Sequence, residues 1–423
     1  MVTPSSQSDS NPVVNTDTTD LDNTDSTATA TEPVSTGMQS VTTDNSATSG
    51  TPGHPWPLYT GGILLAIYGL FASIDLLDIG FQAILGPQAE VLLTLASNPW
   101  LGLLLGILAT ALLQSSSIVT VLLVALVAGG LPIATAIPMV MGANLGTTIT
   151  NTLVSLGYIG NDDDFERGFA AATIHDCFNL LALVIFFPLE LLLHPLERLS
   201  QWFLTQNPGL DFLPEHLISP IGWLVQPTRW LIAYGVNHLN GPWDSLLLFG
   251  ISVGGLMISV TSLGWLTKHW LSGPAQEAIY RGTGHGSKLG GLAVGAGVTA
   301  LLQSSSMTTS LMVPLAGVGI VALDYVYPFV LGANIGTCIT ALLATLAVDS
   351  PVALQLALVH ISYNLLAVAL IYGLPLLRAV PLTMAQQLAT IARHYRIVAI
   401  VYVVGVFFLL PFMALWLSLL LLT

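Results

Sequence analysis

The chain contains one eight-residue string twice. Thr110–Ser117 and Thr299–Ser306 both read Thr-Ala-Leu-Leu-Gln-Ser-Ser-Ser, and each lies within a long apolar stretch. Hydroxyl and carboxamide groups are costly in hydrocarbon, because an unpaired polar group there costs several kcal/mol. A polar string at the centre of an apolar segment therefore indicates a ligand-binding position.

Two further motifs repeat in the same order. Gly-Ala-Asn-x-Gly-Thr occupies residues 142–147 and 332–337, while His175 and His360 each precede an Asn-Leu-Leu-Ala run. The three pairs of copies are offset by 189, 190 and 185 residues, which predicts two homologous halves of one membrane domain. Such duplication is typical of secondary transporters, whose binding sites lie where the repeats meet.

The composition excludes a soluble globular protein. Only 8% of the residues are charged and the mean hydropathy is +0.77, whereas soluble domains carry about 25% charged residues. Half of the net charge of −14 comes from residues 1–54, which hold seven acids and neither Lys nor Arg. Cys177 and Cys338 lie in apolar stretches and predict no disulfide framework. The chain also lacks a Gly-x-x-x-x-Gly-Lys-Ser/Thr loop, so transport driven by ATP bound to it is not indicated.

Hydropathy divides the chain into five regions. We predict, in order, a disordered acidic N-terminal tail, a first transmembrane repeat, an extracellular or interfacial connector, a second transmembrane repeat with its leading span, and a C-terminal span. These are residues 1–54, 55–193, 194–243, 244–396 and 397–423. Apolar runs predict spans at residues 58–76, 132–159, 168–193, 245–266, 323–348, 352–376 and 398–421, with the placement of 81–96 left open. We expect Asp162–Asp164 in a solvated loop, and Arg378, Arg393 and Arg396 in a basic loop.

The two Gln-Ser-Ser-Ser strings predict re-entrant hairpins. Residues 101–127 are too many for one comfortable crossing and too few for two, and residues 289–319 repeat the pattern. If the N-terminal tail is cytoplasmic, seven of the nine Lys and Arg residues face the cytoplasm, in agreement with the positive-inside rule. The hairpins then enter from opposite faces. The predicted fold is therefore an all-α polytopic membrane protein with two inverted-topology repeats, each with a hairpin bearing Gln-Ser-Ser-Ser.

The polar groups of these hairpins suit ions of both signs. Ser and Thr hydroxyls, the Gln oxygen and freed carbonyl groups are hard ligands for a small alkali cation. Backbone N–H groups at hairpin tips and helix starts suit an anion. No Lys or Arg lies within either hairpin before its end, so a co-bound cation would compensate the charge of the anion. This favours coupled transport.

The motifs in combination resemble the type II sodium-phosphate cotransporters. The resemblance runs over residues 58–421 and includes Phe-Ala-Ala-Ala-Thr-Ile-His-Asp-Cys-Phe-Asn at residues 169–179. It implies a bacterial sodium/phosphate symporter of the inner cell membrane, working by alternating access. Its partners would be inorganic phosphate, sodium ions and the lipid bilayer, with no cofactor and no nucleic acid. The chain departs from animal members in lacking a cysteine pair in the connector. It also has no span after Leu421, which would place the C-terminus outside, and no soluble regulatory domain, which slightly favours uptake over export.

The resemblance also implies the site residues. Those for phosphate are Gln114, Ser115, Ser116, Ser117, Gln303, Ser304, Ser305, Ser306 and, more weakly, Asn144 and Asn334. Those for sodium are Gln303, Ser304, Thr337 and Thr340, with Gln114, Ser115, Thr147 and Thr150 as their counterparts in the first half.

The sequence is also compatible with other roles for these residues and with other classes of protein. The serines could join membrane helices, as Ser and Thr often do. His175 and His360 could couple protons, although a structural role is favoured. A membrane hydrolase would use one Ser with a His and Asp176, but the serines and histidines are duplicated and the acid is single. A passive anion channel, or a transporter or exporter of another small anion, is a further alternative.

Overall fold

The computed structural model describes residues 56–96, 98–208, 226–228, 230–232, 234, 244–270, 288–348 and 350–422. Every regular element in these ranges is a helix, which confirms the prediction of an all-α protein. The predicted tail and most of the connector lie outside the described residues, so the predicted domain boundaries stay predictions.

In the first half, the helices next to the polar motifs are short, whereas α1 and α6 are long. They are α1 (Trp56–Ala96), α2 (Pro99–Leu113), α3 (Ser116–Ala128), α4 (Ile133–Gly146), α5 (Ile149–Ser155), α6 (Asp162–Leu193) and α7 (Pro195–Gln206). A single 3₁₀ turn, Leu156–Tyr158, follows α5.

The second half follows the same order and ends with additional helices. They are α8 (Asp244–Trp270), α9 (Lys288–Leu302), α10 (Ser305–Ser310), α11 (Met312–Gly317), α12 (Leu323–Thr345), α13 (Pro351–Ala367), α14 (Pro375–His394), α15 (Arg396–Val404) and α16 (Leu410–Leu422). Short π-helical segments, Val368–Tyr372 and Gly405–Leu409, follow α13 and α15.

Seven helical segments of the described chain are long and apolar enough to cross a membrane, which confirms a multi-pass protein. Three lie in each half and one follows them. They are Pro57–Ile74, Ile133–Tyr158, Asp162–Leu193, Leu246–Leu266, Leu323–Thr345, Pro351–Tyr372 and Arg396–Ser418. The helices before and after each Gln-Ser-Ser-Ser string are shorter apolar helices, apart from the brief α10 and α11.

The first span continues without a break into residues 81–96, whose placement the sequence left open. Helix α1 is 41 residues long and runs past Gly80. A Cβ atom added at Gly80 would lie 3.0 Å from the backbone nitrogen of Phe249, so the glycine permits close contact with α8. Acidic residues interrupt the hydropathy there but do not end the helix, since an interruption in hydropathy is not a turn signal.

The leading helices of the two halves, α1 and α8, pack against each other through the same Gly-x-x-x-Ser pattern. A Cβ atom added at Gly69 would lie 2.6 Å from Oγ of Ser259, and one added at Gly255 would lie 2.6 Å from Oγ of Ser73. The contact is therefore reciprocal. Small residues at these positions let the two backbones approach closely, as is common between membrane helices.

The glycines of the two Gly-Ala-Asn motifs are also packing positions. A Cβ atom added at Gly142 would overlap the carbonyl oxygen of Leu103, and one at Gly332 would overlap that of Leu292. Each glycine thus lets the helix that bears the Asn lie directly on the helix that leads into the Gln-Ser-Ser-Ser string. This explains why the two motifs occur together in both halves.

The acidic run Asp162–Asp164 forms the first turn of α6, so the prediction of a loop was wrong. Oδ1 of Asn161 caps this turn by accepting hydrogen bonds from the backbone N–H groups of Asp163 and Asp164, at 3.2 and 3.3 Å. Acidic side chains are favoured at a helix N-terminus by the helix dipole. Arg396 pairs with Asp162, and Arg393 pairs with Asp163 at 2.8 Å.

The predicted basic loop is also helical, since Arg378 and Arg393 lie in α14, which begins at Pro375, and Arg396 is the first residue of α15. Proline favours the first helical turn because it has no N–H group to leave unsatisfied. Ala389 and Ala392 of α14 are buried in a cluster with Phe165 and Phe169 of α6. An apolar face packed against α6 therefore stabilises this helix. The carboxylate of Glu166 accepts a hydrogen bond of 2.6 Å from Arg393. The hydrogen bond to Glu166 raises the pKa of the Arg393 guanidinium, and this group is charged.

Candidate functional site

Both Gln-Ser-Ser-Ser strings interrupt a helix, and they do so in the same way. Gln114 and Gln303 have left-handed backbone conformations with φ of 55° and 53°, which is uncommon for residues other than glycine. Oγ of Ser115 accepts a hydrogen bond of 3.3 Å from the N–H of Ile118, which caps α3. Ser304 caps α10 through Met307 at 3.2 Å. The break thus comes from a strained glutamine followed by a serine cap.

The glutamine side chains fold back onto the helix they end. Nε2 of Gln114 donates a hydrogen bond of 2.8 Å to the carbonyl oxygen of Ala111, and Nε2 of Gln303 donates to that of Ala300. The amide nitrogen of each glutamine therefore satisfies a helix terminus. The Oε1 oxygen of each glutamine takes no part in this bond.

Those oxygens differ between the halves. Oε1 of Gln114 accepts a hydrogen bond of 3.0 Å from Oγ1 of Thr150. In the second half, Oε1 of Gln303 and Oγ1 of Thr340 are both buried and have no hydrogen-bond partner among the described residues. Buried polar atoms are seldom left unpaired, because the loss of their hydration is not compensated. The sequence-predicted pair Gln303 and Thr340 thus carries oxygens that are available to a cation.

Burial of the two breaks also differs. Gln114 is exposed and Ser115 is partly exposed, whereas Gln303 is only 6% exposed. The serines that open the following helices are buried in both halves; they are Ser116, Ser117, Ser305 and Ser306. Ser304 is partly exposed like Ser115, so the two breaks differ at their glutamines, of which the first is exposed and the second is enclosed.

The second break lies against the first half of the chain. Oγ of Ser306 donates a hydrogen bond of 3.4 Å to the carbonyl oxygen of Thr147. Thr147 and Thr148 separate α4 from α5, whereas the matching helix α12 runs unbroken from Leu323 to Thr345. The sequence predicted one helix over residues 132–159, and the structure has this break within it. The threonine hydroxyls bond to backbone carbonyls of the preceding turn, a contact that often bends helices.

The Gly-Ala-Asn asparagine of each half is held by the other half. Nε2 of His175 donates a hydrogen bond of 2.6 Å to Oδ1 of Asn334, and Nδ2 of Asn334 donates one of 2.7 Å to Oδ1 of Asn179. Nδ2 of Asn179 continues to the carbonyl oxygen of Asn144, at 2.8 Å. The amide of Asn334 is therefore satisfied by two residues of α6.

The equivalent contacts cross in the opposite direction. Nε2 of His360 donates a hydrogen bond of 3.1 Å to Oδ1 of Asn144, and Nδ2 of Asn144 donates one of 2.9 Å to Oδ1 of Asn364. All of these side chains are buried. The two histidines thus brace the junction of the halves, as the structural interpretation expected. A role of Asn144 and Asn334 in phosphate binding stays a prediction, since their amides are occupied here.

A Ser-His-Asp constellation is not formed by these residues. His175 and His360 contact asparagines through Nε2, and Nδ1 of each has no partner among the described residues. Oδ2 of Asp176 accepts hydrogen bonds from the hydroxyl of Tyr402, at 2.8 Å, and from Oγ1 of Thr152, at 3.5 Å. The activated serine that a hydrolase requires is absent from this arrangement.

Two contacts that join distant segments could not be predicted from the sequence. Asn151 and Thr309 bond to each other across the halves, with Nδ2 to Oγ1 at 2.9 Å and Oγ1 to Oδ1 at 3.0 Å. Tyr402, from the last span, supplies the partner of Asp176. A lone polar residue in an apolar helix signals a buried partner, but it does not say which one.

Comparison with known proteins agrees with this arrangement. The family model described as Na+/Pi-cotransporter matches residues 70–201 and 256–409, one segment in each half. The sodium-dependent phosphate transport protein 2B of Homo sapiens is 31% identical over 447 residues, covering 84% of this chain and 64% of the relative. The 2A protein of Ovis aries is 32% identical over 435 residues, covering 84% and 67%. No solved structure matches the chain.

The chain thus spans about two thirds of the length of these curated relatives, as the 64% and 67% coverages show. The matched segments include both Gln-Ser-Ser-Ser breaks, both Gly-Ala-Asn motifs and both histidines. The resemblance read from the motifs is confirmed, and the relatives are transport proteins rather than enzymes. The chain therefore belongs to the Na+/Pi-cotransporter family.

Proposed function

We propose that the chain is a sodium-coupled symporter that imports inorganic phosphate across the inner cell membrane. The relatives are named sodium-dependent phosphate transport proteins, and both copies of the Gln-Ser-Ser-Ser string lie within the matched segments. Hydroxyl and carboxamide oxygens suit sodium, and the N–H groups of a helix start suit an oxyanion. The proposed ligands are the fourteen positions predicted above from the resemblance, centred on the two breaks.

Two inverted repeats with re-entrant hairpins are part of this proposal. Helix α2 has 15 residues and α3 has 13, which are lengths too short for two full crossings but suited to a hairpin. The reciprocal contacts of Gly69 with Ser259 and of Gly255 with Ser73 support halves related by a two-fold axis. The charge distribution along the sequence supports an axis in the membrane plane.

The observation that carries the mechanism is the difference between Gln114, which is exposed, and Gln303, which is 6% exposed. In an alternating-access transporter the two matching breaks take turns in facing an aqueous side. The described conformation then has the first break open and the second enclosed. Exchange of these environments would carry the bound ions across, with the crossed asparagine contacts holding the halves together.

Transport itself provides the test. Purified protein in proteoliposomes is given radiolabelled phosphate under an inward sodium gradient, and a matched set is given an equal potassium gradient. Concentrative uptake with sodium alone is expected. Equal uptake with both cations would indicate a channel, and uptake of sulfate or a dicarboxylate in place of phosphate would assign the site to another anion.

A further inference from the structure

Twelve of the thirteen buried threonines of the described chain fall into two groups, and Thr135 belongs to neither. Most of them donate their hydroxyl to a backbone carbonyl oxygen one turn earlier, which is the usual way to satisfy it in a helix. This group contains Thr120, Thr147, Thr148, Thr152, Thr173, Thr308, Thr309, Thr337 and Thr345. Oγ1 of Thr110, Thr299 and Thr340 is buried and has no partner among the described residues.

These three threonines lie in the helices that meet at the two breaks. Thr110 and Thr299 begin the two Thr-Ala-Leu-Leu-Gln strings, and both are 0% exposed. A Cβ atom added at Gly336 would lie 2.7 Å from Cβ of Thr299, which places Thr299 at the contact between α9 and α12. The unpaired hydroxyl is therefore at the interface of the Gln-Ser-Ser-Ser and Gly-Ala-Asn helices, not on an isolated surface.

Gln303 and Thr340 follow these positions along the two helices. Thr340 is four residues after Gly336 and so lies on the same face of α12, while Gln303 directly follows the end of α9 with a left-handed backbone. The two helices pack in parallel, because Gly332 faces Leu292 and Ala296 while Gly336 faces Ala296 and Ala300. Oγ1 of Thr299 at the helix interface, Oε1 of Gln303 at the end of α9 and Oγ1 of Thr340 on α12 are all buried and have no partner among the described residues.

The described residues of the first half contain no such set. There, Oε1 of Gln114 accepts the hydroxyl of Thr150 at 3.0 Å, and Thr110 alone keeps an unpaired hydroxyl. The matching oxygens are therefore paired with each other in one half and unpaired in the other. A cation that binds in this conformation would find its oxygen ligands in the second half.

We propose that Thr299 is a further cation ligand, which acts with Gln303 and Thr340 in the second half. This inference rests on the proposed function, which makes sodium the coupling ion. Neutral hydroxyl and carboxamide oxygens are hard ligands for a dehydrated alkali cation. The hydroxyl of Thr299 is free for this purpose because it does not bond to a described backbone carbonyl of its own helix. Its carbonyl oxygen still accepts the N–H of Gln303 at 2.8 Å, so the helix is intact up to the break.

Sodium-dependent stabilisation of the purified protein tests the inference without transport. The unfolding temperature is measured against sodium chloride concentration, with choline chloride added to keep the ionic strength constant. Ligands that bind only the folded state raise this temperature, so the midpoint reports sodium affinity. Thr299→Val, which removes the hydroxyl but keeps the shape, is expected to raise the midpoint about tenfold, a usual loss for an altered metal site. Thr299→Ser is expected to stay within about twofold of the wild type, since it keeps the oxygen.

Two valine variants serve as matched controls. Thr173→Val removes a buried hydroxyl that bonds to the carbonyl oxygen of Phe169 at 2.8 Å, and its sodium midpoint is expected to equal that of the wild type. Thr110→Val removes the counterpart in the first half, where Gln114 and Thr150 are already paired, and little change is expected. An equal increase for Thr110→Val and Thr299→Val would overturn the assignment to the second half.

The outcomes separate this inference from the proposed function. A normal midpoint for Thr299→Val, with a raised midpoint for Gln303→Ala, would overturn the role of Thr299. Wild-type protein that sodium does not stabilise would also overturn it. Protein that sodium stabilises through Thr299, but that carries no phosphate in proteoliposomes, would leave this inference standing and contradict the proposed function.

Discussion

His175 in the first half donates a hydrogen bond of 2.6 Å from Nε2 to Oδ1 of Asn334 in the second half. His360 makes the reciprocal bond to Asn144, at 3.1 Å. Each Gly-Ala-Asn helix is therefore held by the histidine helix of the other half. Since all four side chains are buried, loss of one partner leaves a polar group unpaired in the interior.

The bond between His175 and Asn334 predicts a measurable coupling energy. His175→Ala and Asn334→Ala are each expected to lower the free energy of unfolding in detergent micelles. The double variant is expected to be less destabilised than the sum of the two, with a coupling of about 0.5–3 kcal/mol, as for other buried partners. His394→Ala is the control, because His394 is exposed and its hydrogen bond within the described part of the chain is to Thr390 of its own helix. Strict additivity of the two losses would contradict the contact.

Two glycines of α9 predict opposite effects of the same substitution. A Cβ atom added at Gly295 would overlap the carbonyl oxygen of Phe329, whereas one added at Gly297 has no described atom within 4 Å. Gly295→Ala is expected to lower the unfolding temperature and the yield of folded protein, since overpacking costs about 1–3 kcal/mol. Gly297→Ala is expected to be neutral or to stabilise by about 0.5–1 kcal/mol, because alanine favours a helix. Equal effects of the two would contradict the close packing of α9 on α12.

Gln303 combines a strained backbone with a proposed ligand, and two substitutions separate these properties. Gln303→Ala removes the side-chain oxygen, and Gln303→Gly removes it while relieving the left-handed conformation at φ 53°. Sodium-driven phosphate uptake is expected to fall by at least about tenfold in both, since both lose the oxygen. Surface expression of the glycine variant measures whether it still folds. Normal uptake by Gln303→Gly would assign the glutamine a backbone role instead.

Ser304→Ala is likewise expected to abolish uptake with expression intact.

The hydrogen bond from Tyr402 to Asp176 predicts a measurable contribution to the free energy of unfolding. The hydroxyl of Tyr402 donates a hydrogen bond of 2.8 Å to Oδ2, and Oδ1 of Asp176 has no partner among the described residues. Tyr402→Phe is expected to cost about 1–3 kcal/mol, as removal of one partner of a buried polar group does. Tyr395→Phe is the matched control, because Tyr395 is 66% exposed and lies in the same part of the chain. Thermal unfolding of both variants in detergent checks this, and equal unfolding temperatures would contradict it.

Some of the architecture followed directly from the sequence. Repetition of Gln-Ser-Ser-Ser, Gly-Ala-Asn and His motifs predicted two halves, and hydropathy predicted a multi-pass helical protein. The multi-pass helical prediction is confirmed because hydropathy depends on local composition and on the cost of burying polar groups in lipid, whereas the inverted relation of the two halves stays a prediction. The interruption of each apolar stretch at Gln-Ser-Ser-Ser followed for the same reason, since its polar groups are costly in hydrocarbon.

Other features depended on neighbours that are distant in the sequence. Asp162–Asp164 and Arg393 were predicted in loops, yet both lie in helices that pack against each other through Phe165 and Ala389. A short charged segment reads as a loop when its packing partner is unknown, because tertiary contacts override local preference. The break at Thr147 was missed for a similar reason, since its counterpart in α12 has the same Gly-Thr residues and no break.

The sequence by itself thus determined the fold class, the two halves and the residue types that interrupt the membrane helices. The tertiary structure decided which of those residues meet. Asn144 and Asn334 are identical in their motifs, but only packing pairs each with the histidine of the other half. Thr299 and Thr173 are both buried threonines, and only the structure distinguishes the hydroxyl of Thr299, which has no partner among the described residues, from that of Thr173, which bonds to Phe169. Hydrogen bonds depend on distance and direction in space, which the order of residues along the chain does not specify.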